Sequence, residues 1–397
     1  MIKILAISFP YDEKTAGGAA KSFINIIRSL KKEQNIVVKS LSISFPSGMT
    51  RIFHSYGIGY FLYLPRILKS IRQFKPHIII TQTGWAFVSI IAALLKKIPI
   101  INIIRDLSLF CPKHVDIIAY GKSCPGLKNR KTCFNCIDYW RSLRVIIGNK
   151  PNNWQYSLRA ALNSVGYKLR YFYCKINLKI LNFASINIVA SELMRLRLIQ
   201  NVNPNKILVV NITPIKPITL SNLNQKADQL LFLIPSFEAS HKGLDFILKL
   251  ALDLPEGFKI IIAGKKLMKK QLKGLNNKVV NLDQIFGLEL ENLYQCSKIT
   301  LMPTFCTEAF GRVIIESLMN KTPVISSPNC GANDFFINKE FLKVIPIKLN
   351  LWKKAIIEMI KKPPVITNQD IEEIYSLFSV NKSENDFLKL IKRLKYE

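Results

Sequence analysis

Two carboxylates separated by seven residues are the part of this sequence best suited to chemistry. Glu308 and Glu316 stand where a run typical of a strand gives way to a run typical of a helix. The backbone amides of Ala309, Phe310 and Gly311 would open that helix, and such amides form a ready anion site. Glu316 lies further along the helix, so both carboxylates can point into one cleft and accept hydroxyls of two sugars. Two solvated helix carboxylates are the competing interpretation.

A lysine and a pair of glycines offer further contacts for a phosphate. Lys242 stands beside Gly243 at a predicted helix start, where a lysine suits a dianion. Gly17 and Gly18 follow the first predicted strand, and missing side chains there let the backbone approach a donor phosphate or an acceptor. An ordinary loop is the simpler interpretation of the two glycines taken alone.

Four cysteines lie in a less regular stretch, residues 106–173, which we interpret as an insertion. They are Cys111, Cys124, Cys133 and Cys136. Their spacing includes one Cys-x2-Cys pair, and His114 is placed to pair with Cys111. Such spacing suits structural zinc, and an iron–sulfur cluster would use the same thiolates. Because the outer spacings are irregular, a set of buried free thiols is the other interpretation.

Positive charge is the strongest feature of the composition, since the 397 residues carry 57 Lys and Arg against 26 Asp and Glu, a net +31. This excess predicts attraction to an anionic membrane, nucleic acid or phosphate-bearing substrates, and a solvated lysine coat explains it as well. With 49% hydrophobic residues the chain can bury a large core, which excludes global disorder. No nucleic-acid-binding motif is present, so no specific nucleic-acid partner is expected.

Three features bear on localisation. The longest nearly apolar run, residues 85–95, is shorter than the about 20 residues that cross a bilayer. The first residues predict a strand rather than a signal peptide, and eight cysteines without an export signal predict a reducing cytoplasm. The stretch 51–74 places aromatic rings beside Arg66, Lys69 and Arg72, and predicts peripheral contact with the inner face of the membrane. A helix packed on the first sheet is the alternative.

The elements that must position these residues alternate between short apolar runs and amphipathic stretches, the pattern of strands and helices around parallel sheets. Strands are predicted at 3–9, 36–44, 77–82, 98–104, 230–234, 259–263, 279–282, 299–302 and 323–326. Helices are predicted at 19–32, 243–252, 290–295 and 312–319, with another ending at 95. A Pro-containing stretch, 213–224, is the best linker, so two Rossmann-like domains are predicted in tandem, 1–212 with the insertion and 225–380.

The segment around the two glutamates resembles a known family. Glu308 and Glu316, with the Phe-Gly between them and Pro323-Val-Ile-Ser after them, resemble the E-x7-E motif of retaining glycosyltransferases of family 4, the glycosyl transferases group 1. The resemblance implies an α/β fold of the GT-B class, in which two Rossmann-like domains face each other across a cleft. It also implies that the last helix, residues 381–397, returns to the first domain.

The same resemblance assigns roles to single residues. It implies that Glu308 contacts the transferred sugar in catalysis and that Glu316 binds the ribose of the nucleotide. Lys242 resembles the lysine of a Lys-Gly step that contacts the donor diphosphate. The backbone amides of Ala309, Phe310 and Gly311 would contact the same donor. Gly17 and Gly18 resemble the family's glycine-rich loop near the donor phosphate or acceptor.

The sequence departs from the family's pattern at three points. Arg105 stands where many members carry a histidine that contacts the donor sugar. An arginine there could stabilise negative charge on a leaving group, and a salt bridge to a neighbouring acid is the alternative role. The arginine that usually precedes Lys242 by five residues is absent, with Phe237 in that region. Ala332 replaces the second glycine of a glycine pair.

The resemblance implies a metal-independent, retaining glycosyltransferase of the hexosyltransferase type. Its co-substrate would be a nucleotide-sugar, no cofactor would be required for catalysis, and any zinc would be structural. The acceptor would be a glycan, a glycolipid or a lipid-linked precursor in cell-surface polysaccharide synthesis. The alternative is a catalytically degenerate GT-B shell that acts as a basic polyanion-binding protein, because Arg105 and the missing arginine depart from the pattern.

Overall fold

The computed structural model describes most of the chain. The described residues are 1–10, 18–44, 58–113, 124, 126–127, 129–147, 154–211, 215, 226–234, 241–264, 266–275 and 277–396. The chain divides into two compact units, where unit 1 comprises residues 1–212 and 383–397 and unit 2 comprises residues 213–382. The predicted linker 213–224 lies outside the described residues except for Ile215.

Unit 1 is built on a parallel sheet of six strands. The strands are β1 (Ile2–Ser8), β2 (Ile36–Ser42), β3 (Ile78–Gln82), β4 (Ile100–Ile104), β5 (Ile186–Val189) and β6 (Ile207–Val209), in the order β2-β1-β3-β4-β5-β6. The helices are α1 (Gly18–Lys32), α2 (Leu64–Phe74), α3 (Ala86–Lys96), α4 (Arg130–Ile147), α5 (Trp154–Ile180) and α6 (Glu192–Leu198). Every residue of β3 and β4 is buried, as expected of a parallel sheet that is covered on both faces.

Unit 2 is built on a second parallel sheet of six strands. The strands are β7 (Gln229–Leu233), β8 (Lys259–Ala263), β9 (Val279–Leu282), β10 (Ile299–Met302), β11 (Val324–Ser326) and β12 (Leu342–Val344), in the order β12-β11-β10-β7-β8-β9. The helices are α7 (Leu244–Leu252), α8 (Leu288–Cys296), α9 (Arg312–Met319), α10 (Leu349–Lys361) and α11 (Asn368–Phe378). Its core gathers apolar residues from β7, β8 and β10 with Trp352 of α10.

The last helix, α12 (Val380–Tyr396), belongs to unit 1 from residue 383 onward. Phe387 and Ile391 of this helix are fully buried. The hydroxyl of Ser383 donates a hydrogen bond of 2.7 Å to the carbonyl of Asn211. Unit 1 is therefore assembled from two separate stretches of the chain.

Each sheet has one point at which the strand order reverses. In unit 1, β2 and β3 lie on opposite sides of β1, so the reversal falls between β1 and β3. In unit 2, β8 and β10 lie on opposite sides of β7, so the reversal falls between β7 and β10. In open α/β sheets, ligands bind beyond the carboxyl ends of the strands at this reversal. The loops after β7 and β10 are therefore the first place to look for a site.

The α/β class predicted from the sequence is confirmed, and several elements have the predicted bounds. β8, β9, β10 and α9 begin and end at the predicted residues. The stretch 106–173 differs from the prediction of a less regular region, because it contains α4 and most of α5. Within the described part of the chain, no helix combines the length and apolar character needed to span a bilayer.

Candidate active site

The loops that follow β7 and β10 bring two predicted site residues into contact. The ammonium of Lys242 and the carboxylate Oε2 of Glu308 form an ion pair, although the two residues are 66 positions apart in the chain. Both side chains are half-buried. Burial alone would lower the pKa of Lys242, but the Glu308 carboxylate outweighs it and holds that pKa above its ordinary value. Lys242 is therefore a cation at the sheet's point of reversal.

A glycine lets the two loops approach each other. Gly243 has a φ of +93°, and a Cβ atom built on it would lie 2.3 Å from the carbonyl oxygen of Pro303. The amide of Phe305 donates a hydrogen bond of 2.9 Å to the carbonyl of His241, which joins the loops directly beside this contact. Gly243 is thus required both by its backbone conformation and by the space that Pro303 occupies.

A third loop, after β11, fixes the backbone around Glu308. The amide of Glu308 donates to the carbonyl of Asn329 at 2.8 Å, and its carbonyl accepts from the amide of Gly331 at 3.1 Å. The amide of Ala332 donates to the carbonyl of Phe310 at 2.5 Å. Ala332 is buried and is not among the described residues with positive φ, so alanine fits where the family pattern has glycine. Glu308 is held in place before any ligand arrives.

Phe310 and Gly311 contribute their backbone rather than their side chains. The Phe310 ring is buried, with its centroid 5.5 Å from that of Phe378 and 6.0 Å from that of Phe335. Gly311 caps the start of α9 with a φ of +92°. The first amides of a helix have no partner within the helix and carry its positive dipole end. The start of α9 can therefore receive an anion, while the Phe310 ring anchors the loop in the core.

Glu316 is oriented by two residues that sequence reasoning did not identify. The guanidinium of Arg312 lies 3.0 Å from Oε1 of Glu316, and the hydroxyl of Tyr294 on α8 donates a hydrogen bond of 3.2 Å to Oε2. Burial, and then the Glu316 carboxylate, raise the pKa of Tyr294 well above its ordinary value, so its hydroxyl stays a donor. The i,i+4 spacing of Arg312 could have been noticed in the sequence. Nothing in the sequence indicates that Tyr294 reaches another helix.

Arg105 lies in unit 1, immediately after β4. Arg105 is buried, and its backbone amide donates a hydrogen bond of 3.0 Å to the hydroxyl of Thr83. The carbon atom of its guanidinium group lies 5.5 Å from the centre of the Phe23 ring. Thr83 follows β3 and Arg105 follows β4, so their contact lies between the next pair of strands after the β1–β3 pair where the strand order reverses. Gly18 begins α1, and Gly17 lies outside the described residues. The predicted acceptor or phosphate loop thus remains a prediction.

The four cysteines of the predicted metal site are all thiols. Cys111 is buried, and Cys124, Cys133 and Cys136 are half-buried. Across the described ranges, no group of three or more His, Cys, Asp or Glu residues is arranged to hold a metal ion. His114 lies outside those ranges. A structural zinc site stays a prediction.

A lysine lies among these thiols. Burial raises the pKa of Cys111, and burial followed by the neighbouring Cys124 raises the pKa of Cys133 to about 12. Burial lowers the pKa of Lys113, and the nearby Cys136 acts in the opposite direction. Because metals bind thiolates, a metal here would have to displace the protons that burial retains on the sulfur atoms of Cys111 and Cys133.

Comparisons with known proteins agree with this architecture. Residues 219–374 match the family of glycosyl transferases group 1, and they contain Lys242, Glu308 and Glu316. No curated protein sequence gives a significant match to the chain.

Solved structures resemble the chain over nearly its whole length. HepE from Anabaena, solved with UDP and glucose, is 14% identical, covers 99% of this chain and 100% of its own, and has a TM-score of 0.64. Sucrose-phosphate synthase from Thermosynechococcus elongatus is 14% identical over 99% of each chain, with a TM-score of 0.66. The lipopolysaccharide outer core galactosyltransferase WaaB is 11% identical over 99% of each chain, with a TM-score of 0.67. At such identities the likeness establishes the fold, which is GT-B.

Proposed function

We propose that this protein is a retaining glycosyltransferase of family 4 that takes a sugar from a nucleotide-diphosphate-sugar. The observation that carries the proposal is the Lys242–Glu308 pair, held by three loops at the point where the unit 2 sheet reverses. A fixed cation beside a fixed carboxylate suits a ligand that is anionic at its diphosphate and rich in hydroxyls at its sugar.

Each residue of unit 2 then has a separate task in holding the donor. Lys242 and the amides of Ala309, Phe310 and Gly311 bind the diphosphate, because the lysine is a cation and these amides lie directly before the positive end of α9. Glu316 accepts hydrogen bonds from the ribose hydroxyls, and Arg312 and Tyr294 position its carboxylate. When the diphosphate arrives, Lys242 exchanges its carboxylate partner for a phosphate. Glu308 is then released to accept hydroxyls of the transferred sugar.

The transfer step needs no protein nucleophile. The bond between the anomeric carbon and the diphosphate oxygen breaks, and the acceptor oxygen forms its new bond on the same face of the sugar. The acceptor's proton passes to the leaving phosphate oxygen, so the atoms and charges balance. Lys242 and Arg105 stabilise the charge that develops on the leaving diphosphate. Since a lysine and helix amides do this work, the step requires no metal ion.

For the acceptor we propose a glycan, a glycolipid or a lipid-linked precursor used in cell-surface polysaccharide synthesis at the inner face of the membrane. The net charge of +31 supports an anionic or membrane-bound acceptor. WaaB, which shares the fold, is described as a lipopolysaccharide outer core galactosyltransferase. Unit 1, with Gly17, Gly18 and Arg105, is assigned to the acceptor.

A thermal-shift experiment tests the donor site. UDP is the first probe, because HepE was solved with UDP and with UDP-glucose, and other nucleoside diphosphates follow. One diphosphate should stabilise the wild type by about 2.7 kcal/mol at 100 times its Kd, and this should persist at high salt. Glu316→Ala should weaken the stabilisation strongly, because the ribose loses its carboxylate acceptor. Glu289→Ala, which removes an exposed carboxylate from the neighbouring α8, should leave it intact.

The opposite outcome would favour the polyanion-binding shell. In that case all polyanions would stabilise the protein to a similar degree, salt would remove the effect steeply, and Glu316→Ala would change nothing.

A further inference from the structure

Helix α5 exposes an apolar stripe along the part whose side chains the structure describes. Val165, Leu169, Phe172 and Ile176 are exposed by 57%, 51%, 45% and 51%. Their spacing of four, three and four residues places them on one face of the helix over three turns. We call these four residues the α5 apolar face. Single exposed apolar residues are ordinary in soluble proteins, but a contiguous row marks a surface that another apolar phase covers.

The buried face of the same helix carries polar groups. Arg170, Cys174 and Asn177 are all buried. The guanidinium of Arg170 donates a hydrogen bond of 3.3 Å to the carbonyl of Ser108, and the thiol of Cys174 donates one of 3.7 Å to the same carbonyl. The buried face also holds Tyr171 and Leu178, so α5 has apolar residues on its buried side and a second apolar row on its exposed side. Contacts with the described residues of unit 1 leave all four residues of the α5 apolar face exposed.

Cations flank this face on both sides. Lys175 and Lys179 are exposed on α5 itself, and the guanidinium carbon of Arg130 on α4 lies 5.7 Å from the centre of the Phe172 ring. Among the residues of 130–183 whose side chains the structure describes, six are Lys or Arg and one, Asp138, is acidic. Asp138 is paired with Lys168 at 2.8 Å. The surroundings of the apolar face thus carry a large excess of positive charge.

Neighbouring elements add exposed apolar residues. Phe183, in the short turn that follows α5, is exposed, and so are Phe61 and Leu62 in the turn that precedes α2. The Phe61 ring lies 4.8 Å from Phe87 of α3, and Phe87 lies 5.3 Å from Tyr173 of α5. The turn, α3 and α5 are therefore packed together in one region of unit 1. Among the described residues of unit 2, no α-helix carries more than one exposed large apolar residue.

We infer that the α5 apolar face docks unit 1 onto an anionic lipid bilayer, with Leu169, Phe172 and Ile176 entering the interface. Apolar side chains in the acyl boundary, with lysines reaching the headgroups beside them, are how amphipathic helices bind anionic membranes. A second copy of this chain fits the face less well. A symmetric dimer through α5 would bring two copies of the same basic surface together. The inference refines the membrane part of the proposed function and does not depend on donor binding.

Vesicle co-sedimentation tests the inference with the full chain. Wild-type protein should bind mixed vesicles of phosphatidylcholine and phosphatidylglycerol, and bind vesicles of phosphatidylcholine alone much more weakly. The double variant Leu169→Asp, Ile176→Asp should lose about a hundredfold in partitioning, since each apolar side chain contributes roughly tenfold. Lys175→Ala should lose about fivefold on mixed vesicles only. The matched control Leu252→Asp, Val365→Asp changes two exposed apolar residues of unit 2 and should bind as the wild type does.

Two readouts separate this inference from the donor proposal. All variants should keep the wild-type thermal shift with the nucleoside diphosphate that the wild type binds, which shows that the fold and donor site are intact. Failure of the wild type to bind mixed vesicles, or equal binding by the Leu169→Asp, Ile176→Asp variant, overturns the inference without touching the donor site. A wild-type dimer in sedimentation velocity that this variant dissociates also overturns it, because the face would then be a protein interface.

Discussion

The sheets of units 1 and 2 both reverse their strand order beside their first strand, yet the side chains at the two reversals differ. In unit 2, Lys242 and Glu308 meet there as an ion pair. In unit 1, the residues that follow β1 and β3 meet as aromatic rings, with Phe9 and Trp85 5.3 Å apart between ring centres. Tyr60 adds a third ring, 5.0 Å from Trp85.

Glycines serve both reversals in different ways. Gly84 of unit 1 leaves room for side chains, since a Cβ there would lie 2.9 Å from the Phe9 ring. Gly243 of unit 2 leaves room for backbone, since its Cβ would meet the Pro303 carbonyl. The same sheet architecture therefore supports an apolar, ring-lined edge in one unit and a charged edge in the other. Strand order locates a site, and the residues of the loops decide its chemistry.

The largest effect expected in unit 2 is that of Glu308→Gln. This substitution keeps the shape and removes the charge, so release of the nucleoside diphosphate from the donor sugar should slow by about 10²- to 10³-fold. Stabilisation by UDP should change little, because Lys242 and the α9 amides remain. Turnover kinetics beside the thermal shift measure both quantities. Unchanged turnover would remove Glu308 from the reaction.

Gly243→Ala tests whether the charged reversal depends on close backbone approach. We expect the free energy of unfolding in urea to fall by about 3 kcal/mol, because a Cβ clashes with Pro303 and alanine disfavours positive φ. Gly257→Ala is the matched control, since Gly257 has a φ of +83° and no atom within 4 Å of its Cβ position. The control should cost about 1 kcal/mol. Equal losses would mean that the contact with Pro303 relaxes freely.

The substitution Arg105→Met tests whether unit 1 also contributes a positive charge to the reaction. Turnover should fall by about tenfold, with binding of the nucleoside diphosphate unchanged, if Arg105 stabilises the leaving group. Arg105→Lys should recover part of the loss because it restores the charge. A drop in thermal stability for both variants without any change in turnover would assign Arg105 to packing against Phe23.

The smallest expected effect is on the pH dependence of the free energy of unfolding. It concerns two lysines of unit 2 whose pKa values shift in opposite directions. Burial lowers the pKa of Lys226 to about 8, whereas the pKa of Lys242 is raised above 10.5. Between pH 8 and 10.5 the unfolded chain holds a proton that folded Lys226 lacks, so this group makes the unfolding free energy rise with pH. Lys226→Met should flatten that rise in urea titrations. The contribution of Lys242 should be lost only above pH 10.5.

Much of the framework was predictable because parallel strands are short apolar runs between helices. β8, β9, β10 and α9 were predicted with their bounds for this reason, and Lys242 and Glu308 were singled out by the loops that follow strands. The contact between them needed the sheet order, which brings β7 beside β10. Tyr294 could not be predicted as a partner of Glu316, since the register between α8 and α9 is set by tertiary packing.

The helices within residues 106–173 show where pattern reasoning fails. Such reasoning assigns apolar residues to the inside of a helix, and α5 places Leu169 and Ile176 outside and Arg170 and Asn177 inside. The segment therefore looked irregular although it is helical. The predicted metal site has the same difficulty. The spacing of cysteines in a sequence does not tell whether their thiols converge on an ion or on Lys113.

Unit 1 is made of two stretches of sequence on either side of unit 2, and this has a consequence for synthesis. Phe387 and Ile391, which are buried in α12, leave the ribosome after every residue of unit 2 has been made. Unit 2 is continuous in sequence and can complete its core while the chain is still being translated. The sheet of unit 1 has to wait, with part of its apolar surface uncovered, until α12 has been translated. Chaperones would therefore be needed most while unit 1 is incomplete, before α12 has been made.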